Sequence, residues 1–229
     1  MLNLDTLRHR LVVSCQAPAE SPLRGTDYMM AMARAALLGN AAGLRAEGLD
    51  DVRALSRLGR PVIGLVKREE DGSPVYITPS VADVRDLCAA GASIVAADVT
   101  MRPRRSGEAT LALVEAAHRG GALFMADVDS LAAAGEAVAA GADMVSSTLS
   151  GYTGRVQSDE PDIALVNTLA RSLPVPVFAE GRYRTPEQVE RAFAAGAFCV
   201  VVGGAITDPL QITRRFVAAC PQPVESLPA

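Results

Sequence analysis

Ala179-Glu180-Gly181-Arg182 and Val202-Gly203-Gly204-Ala205 are glycine-rich turns, each closing an apolar run (residues 176–178 and 198–202) and each leading into a helix-like segment. Turns of this kind after the seventh and eighth strands of a (β/α)8 barrel present backbone N–H groups to an anion at the C-terminal face. The pair therefore predicts an α/β fold, a single (β/α)8 TIM barrel of the phosphate-binding type, with a small phosphorylated metabolite as ligand.

Outward from these turns, short apolar runs recur at residues 11–14, 41–44, 62–66, 94–97, 122–125, 144–147, 175–178 and 198–202, separated by alanine-rich stretches of helical period. That alternation reads as parallel strands joined by helices, in the number a closed barrel requires. Ala89-Ala-Gly-Ala92, Ala139-Ala-Gly-Ala142 and Ala194-Ala-Gly-Ala197 form a weak internal repeat in which glycine stops a helix just before a strand. Thr185-Pro186-Glu187-Gln188 and Asp208-Pro209 read as helix starts. An open doubly wound sheet is the alternative architecture, but it usually carries a GxGxxG turn after its first strand, where this chain has Cys15-Gln-Ala-Pro18. Residues 1–229 are expected to form one domain, with an irregular tail over 221–229.

The 229 residues are 49% hydrophobic, enough for a sizeable core. A net charge of -4, with the 22 basic residues scattered, speaks against a nucleic-acid surface. Cys15, Cys88, Cys199 and Cys220 are far apart and mostly in apolar surroundings, and read as reduced, buried thiols rather than disulfides or zinc ligands. The apolar stretch Leu11-Val12-Val13 is too short for a signal peptide, and no run approaches the ~20 apolar residues of a membrane span. A cytoplasmic protein without membrane partners is the expectation.

If the site lies at the C-terminal rim, the polar residues that follow each run should face it: Gln16, Arg45, Lys67, Asp98 with Thr100, Asp127, Thr148, Glu180 with Arg182, and the Gly203-Gly204 turn. Lys67 reads either as a partly desolvated base or imine-forming nucleophile, or as a solvated lysine leading into a charged loop. Glu180 reads as its proton-transfer partner, or as an ion pair with Arg182 or Arg184 that shapes the loop. Arg45 reads as a clamp on phosphate or hydroxyl, or as a partner of Glu47. Gln16 reads as a ligand contact or a cap of its own loop. Asp98 and Asp127 could orient sugar hydroxyls or hold a lysine in place; as metal ligands they lack company, because His9 and His118 stand in poor positions to join them. Gly151-Tyr-Thr-Gly154 suits a lid or a merely solvated loop.

In Val13-Ser-Cys-Gln-Ala17, Gly43-Leu-Arg45, Pro61-Val-Ile-Gly-Leu-Val-Lys67, Tyr76-Ile-Thr-Pro79, Met125-Ala-Asp127, Ser147-Thr-Leu-Ser-Gly-Tyr-Thr153, Ala179-Glu-Gly-Arg182, Val200-Val-Val-Gly203 and Ala205-Ile-Thr207, the chain resembles the N-acylglucosamine-6-phosphate 2-epimerases, also called N-acetylmannosamine-6-phosphate epimerases. The pieces run in order from first strand to last. The resemblance implies reversible epimerisation between N-acetylmannosamine 6-phosphate and N-acetylglucosamine 6-phosphate, a step of amino-sugar and sialic acid breakdown. It also implies a homodimer, with neither metal nor organic cofactor. By position, it implies Lys67 as the acid/base group and Glu180 as its partner. Gln16, Arg45, Asp127 and Thr148 would be substrate contacts, and Gly181, Arg182, Gly203 and Gly204 the phosphate grip.

The chemistry suits these residue types: C2–H becomes removable only next to the C1 aldehyde of the open sugar, and the enolate needs cationic or hydrogen-bonding groups around it. Near the phosphate the chain departs from the family's Gly-Ser-Ala-Ile-Thr-Arg-Pro with Gly203-Gly-Ala-Ile-Thr-Asp-Pro209. A hydroxyl is lost at Gly204 and a cation becomes Asp208. Two other functions compete: an imine-forming aldolase or lyase using Lys67, and a non-catalytic sugar-phosphate binding protein.

Overall fold

A computed structural model of the chain describes residues 2–69, 72–154 and 159–221. The β-branched runs form eight parallel strands, β1 (Arg10–Cys15), β2 (Gly43–Glu47), β3 (Val62–Leu65), β4 (Ile94–Asp98), β5 (Leu123–Asp127), β6 (Met144–Ser146), β7 (Val177–Glu180) and β8 (Cys199–Val202). Each pairs with the next, and β8 returns to β1 with Val12 opposite Val201, so the sheet closes into a barrel. Helices α1 (Thr26–Leu38), α2 (Leu49–Ser56), α3 (Val81–Ala89), α4 (Thr110–Arg119), α5 (Leu131–Ala139), α6 (Ile163–Ser172) and α7 (Pro186–Ala194) follow the first seven strands, and a short α8 (Gly204–Thr207) and α9 (Pro209–Ala218) follow β8.

Successive residues of a strand face opposite sides of the sheet. Val12, Ile63, Leu65, Ala96, Met125, Met144, Phe178 and Val201 form one buried cluster, inside the barrel. Val13, Leu44, Val95, Phe124, Val145, Ala179 and Val200, their sequence neighbours or near neighbours, belong to another that packs under the helices. On the inward parity, six of the eight strands place a polar residue next toward the C-terminal mouth, which delivers Ser14, Arg45, Asp98, Asp127, Ser146 and Glu180 to one end.

The predicted helix signals appear as built features. Thr185 and Gln188 form a reciprocal capping box with Pro186 in the first turn, and Asp208 caps α9 ahead of Pro209. Gly91, Gly141 and Gly196, the glycines of the repeat, have φ of 97°, 91° and 98°.

The strands run further toward the mouth than the apolar runs do. Residues 41–42 precede β2, which continues through Arg45 to Glu47, and β4, β5 and β7 take in Asp98, Asp127 and Glu180. Arg45, Asp127 and Glu180 bond one another inside the barrel, so charge does not end the ladder there. The cysteine expectation is corrected in part: all four are free, with Cys15 and Cys199 buried, but Cys88 is half-buried and Cys220 exposed. Cys220 follows α9, none of whose residues is buried. The tail expected over 221–229 lies, from residue 222 on, outside the described residues. Among the described residues, no helix is long and apolar enough to cross a membrane.

Candidate active site

The mouth opens into a cavity of about 610 Å³, a size that suits a small-molecule ligand. Its floor is an arginine held by two carboxylates. Arg45 is 1% exposed and meets Asp127 as a fork, Nη2 to Oδ2 at 2.6 Å and Nη1 to Oδ1 at 3.2 Å, while Nη1 also lies 2.8 Å from Glu180 Oε2. Thr148 Oγ1 lies 2.9 Å from Asp127 Oδ1 and 3.0 Å from Glu180 Oε2, and 2.8 Å from Ser146 Oγ. The Glu180 backbone is fixed as well: its N–H donates to Ser147 Oγ at 3.1 Å, and that hydroxyl donates to the Glu180 carbonyl at 2.9 Å. Paired, hydrogen-bonded charges are the form in which charge survives burial.

Burial pushes the Glu180 carboxyl up from 4.5 to about 7; Arg45 opposes that rise, Asp127 adds to it, and the Thr148 hydrogen bond and Lys67 oppose it. Arg45 is held above its ordinary range: burial works against its charge, but the Asp127 and Glu180 carboxylates outweigh that. The result is a carboxyl able to hold or release a proton near neutral pH, beside a guanidinium that stays charged.

Lys67 borders the same cavity, 36% exposed, with Nζ 2.9 Å from Gln16 Oε1 and 3.2 Å from Glu47 Oε2. Gln16 is itself held, donating from Nε2 to Ser14 Oγ at 2.9 Å. The loop after β3 folds back as a strap: Lys67 bridges to Ile77, Thr78 N–H donates to the Val66 carbonyl at 2.8 Å, and Asp98 N–H donates to the Ile77 carbonyl at 3.0 Å. Thr78 takes a φ of 45° at the bend, and the strap brings Tyr76 into the cavity wall. Lys67 is thus solvent-accessible, borders the cavity and is held at Nζ by two acceptors.

Across the mouth lie the two glycine turns. Gly181 (φ 106°) and Arg182 (φ 62°) form a left-handed corner. Arg182 Nε donates to the Glu160 carbonyl at 2.8 Å and Nη1 to the Ser150 carbonyl at 2.6 Å, with the guanidinium 5.1 Å over the Tyr152 ring. A Cβ on Gly151 would lie 3.0 Å from that guanidinium, so glycine there makes room for it. Gly203 and Gly204 border the cavity at the start of α8, which Thr207 ties to β1 through a 2.7 Å bond to the Ser14 carbonyl.

The structure thus gathers Gln16, Arg45, Lys67, Thr148, Glu180, Gly181, Arg182, Gly203 and Gly204 around one cavity. Three expectations are corrected. Asp127, expected to face the mouth, is fully buried, bonded to Arg45 and Thr148, and is not among the residues that line the cavity. Arg45 pairs with Asp127 and Glu180 instead of Glu47, which turns to Lys67. Asp98 and Thr100 form a separate cluster, in which Arg102 Nη2 meets Asp98 Oδ2 at 2.6 Å. Among the described residues, no group of three or more His, Cys, Asp or Glu could hold a metal ion. Sequence reasoning passed over Gln211 and Arg215 as lining residues, and touched Tyr76 and Tyr152 only within the stretches Tyr76-Ile-Thr-Pro79 and Gly151-Tyr-Thr-Gly154. Gln211 and Arg215 carried a signal, since they stand three and seven residues after the Asp208 cap and share its helical face; Tyr76 carried none short of the strap.

A closed barrel with a buried arginine–carboxylate network, a lysine and two glycine turns at its C-terminal mouth defines a (β/α)8 protein with a proton-handling, anion-accepting pocket. Residues 29–222 match the family model described as "Putative N-acetylmannosamine-6-phosphate epimerase". The chain is 44% identical over 215 residues to the "Putative N-acetylmannosamine-6-phosphate 2-epimerase" of Clostridium perfringens (strain SM101 / Type A), covering 93% of this chain and 97% of that protein. It is 47% identical to the "Bifunctional enzyme NanE/NanK" of Brucella melitensis over 93% of this chain and 41% of that longer protein. The solved structure of the N-acetylmannosamine-6-phosphate 2-epimerase from Clostridium perfringens superposes with a TM-score of 0.93 at 41% identity, over 96% of this chain and 97% of that one. The chain belongs to the N-acetylmannosamine-6-phosphate 2-epimerase family.

Proposed function

We propose that this chain is a carbohydrate epimerase that interconverts N-acetylmannosamine 6-phosphate and N-acetylglucosamine 6-phosphate in amino-sugar and sialic acid catabolism. One observation carries the reading beyond family membership: Lys67 and the buried, proton-holding Glu180 border one cavity, with Arg45 between the carboxylates at its floor.

In the open-chain sugar a base takes the C2 proton and the C–H electron pair moves toward the C1 oxygen, giving an enolate. Return of a proton to the opposite face of C2 completes the inversion. Only a proton moves, so the step needs neither an electron acceptor nor a second substrate. Lys67 is assigned as the acid/base group at C2: its neutral amine takes the proton and becomes the ammonium, with Nζ positioned by Gln16 and Glu47. Glu180 is its proton-transfer partner, and the Arg45 charge offsets the developing oxyanion. Thr148 and Gln16 hold the sugar and its acetamido group, Asp127 holds Arg45, and the backbone of Gly181, Gly203 and Gly204 receives the phosphate, with Arg182 organising the neighbouring loop.

A homodimer is part of this proposal. The ten-residue α9 has no buried residue, and an apolar groove of about 300 Å³ lies open on the outer side of β1 between α1 and α8, lined in part by Leu11, Met32, Ala36 and Ile206. A second copy of the chain would cover both. A cytoplasmic setting agrees with four free thiols and with a charged sugar phosphate as substrate.

Incubation of purified protein with N-acetylmannosamine 6-phosphate should yield N-acetylglucosamine 6-phosphate, and borohydride added during turnover should leave the protein mass unchanged. A mass adduct on Lys67 would instead favour the imine-forming lyase, and binding without turnover would favour a sensor.

A further inference from the structure

Three arginines border the cavity on the side of the glycine turns: Arg182, Arg184 and Arg215. Arg182 is committed to the Glu160 and Ser150 carbonyls and to the Tyr152 ring. Arg184 meets Asp159 only at 3.5 Å. Arg215, on the exposed face of α9, has no carboxylate within ion-pair distance among the described residues; its Nε donates to the Gln211 carbonyl at 3.3 Å.

That bond shows which way the side chain runs. Helical side chains lean toward the N-terminus of their helix, and a bond to the residue one turn earlier carries the Arg215 guanidinium back along α9 toward Gln211 and the Gly203-Gly204 turn. Asp208, Gln211 and Arg215 follow at helical spacing, and the latter two border the cavity beside both glycines. The Asp208 carboxylate is occupied within the helix, where Oδ1 accepts the Gln211 N–H at 3.0 Å and caps α9. At Gly204 a Cβ would meet only the Asp208 Cβ, at 3.7 Å, so space is left above the turn. The floor has the opposite balance, with Glu47, Asp127 and Glu180 facing Arg45 and Lys67.

We propose that Arg215 is the cation that fixes the phosphate in this chain. The guanidinium two turns into α9 does the work of a cation at position 208, Arg184 adds a second charge, and the Asp208 carboxylate starts the helix that carries Arg215. A ligand is thereby oriented end to end, its phosphate toward the cationic rim and its carbonyl end toward the acidic floor. This rests on the sugar-phosphate reading above. Because C6 is remote from C2, the contact holds ground state and transition state alike and should act on KM rather than kcat.

The test compares wild type with Arg215→Gln, Arg215→Lys and, on the same helix but not bordering the cavity, Arg214→Gln. It reads KM and kcat for N-acetylmannosamine 6-phosphate, and the affinity for inorganic phosphate by 31P NMR titration. Arg215→Gln should raise KM and weaken phosphate binding by about 10- to 100-fold, the range of a charge-assisted contact, with kcat changed much less. Arg215→Lys should recover part of the loss, and Arg214→Gln should match wild type. An Arg215→Gln protein within twofold of wild type in both KM and phosphate affinity would overturn the proposal. Wild type that does not turn the sugar over would instead contradict the epimerase reading, and the phosphate titration would still decide the role of Arg215.

Discussion

At Glu180, burial raises the carboxyl toward about 7, and Asp127 adds to that, while Arg45, Thr148 and Lys67 pull the other way. A carboxyl whose folded value lies above its unfolded value binds a proton more tightly in the native state. Its stabilisation is complete below about 4.5 and is lost as pH rises through about 7. Glu180→Gln removes that dependence, because the amide holds the same shape without titrating. Unfolding by denaturant at pH 4.5 and pH 8 should therefore show wild type losing on the order of 2 to 3 kcal/mol relative to Glu180→Gln. A stability difference that does not change with pH would show that Glu180 is ionised throughout. The type and order of the site residues were legible because each follows an apolar run. Their partners were not: Asp127, which claims Arg45, is 82 positions away, and only closure of the barrel brings them together.

The strands and most helices were legible as elements because their cues are local: β-branched runs, the Thr185-Pro186 and Asp208-Pro209 caps, and the helix-ending glycines. Strand ends were less legible, since mutual pairing of charged residues inside the barrel extends β2, β5 and β7. The strap after β3 was hidden for a related reason: its bonds from Thr78 to Val66 and from Asp98 to Ile77 join an irregular loop to the strand ends. Helix α9 differs from the other long helices in burying nothing, with Phe216 at 73% and Val217 at 57% exposure. This exposed apolar surface is what the homodimer proposed above would cover. Sedimentation should find wild type as a dimer and Phe216→Glu shifted to monomer, with a higher KM for the phosphorylated sugar because Arg215 shares that helix. A monomeric wild type with full activity would contradict the homodimer.

For the molecule as a whole, the barrel brings two chemically opposite ends to one mouth. The closed sheet holds an arginine between carboxylates at the floor, where exposure falls to 1% at Arg45, and the last two βα turns hold backbone N–H groups and arginines at the rim. In the proposed function the first arrangement handles protons beside a buried arginine, and the second receives the phosphate. The central claim of the proposed function is that C2 exchanges its proton by way of Lys67, with Glu180 as its partner. The most direct measurement follows N-acetylmannosamine 6-phosphate by proton NMR in deuterium oxide with wild type and with Lys67→Ala. The expected result is N-acetylglucosamine 6-phosphate carrying deuterium at C2 from wild type, and a rate lower by about 10²- to 10⁴-fold in the variant. Product that keeps its original C2 proton, or a Lys67→Ala protein that exchanges it at the wild-type rate, would contradict the claim.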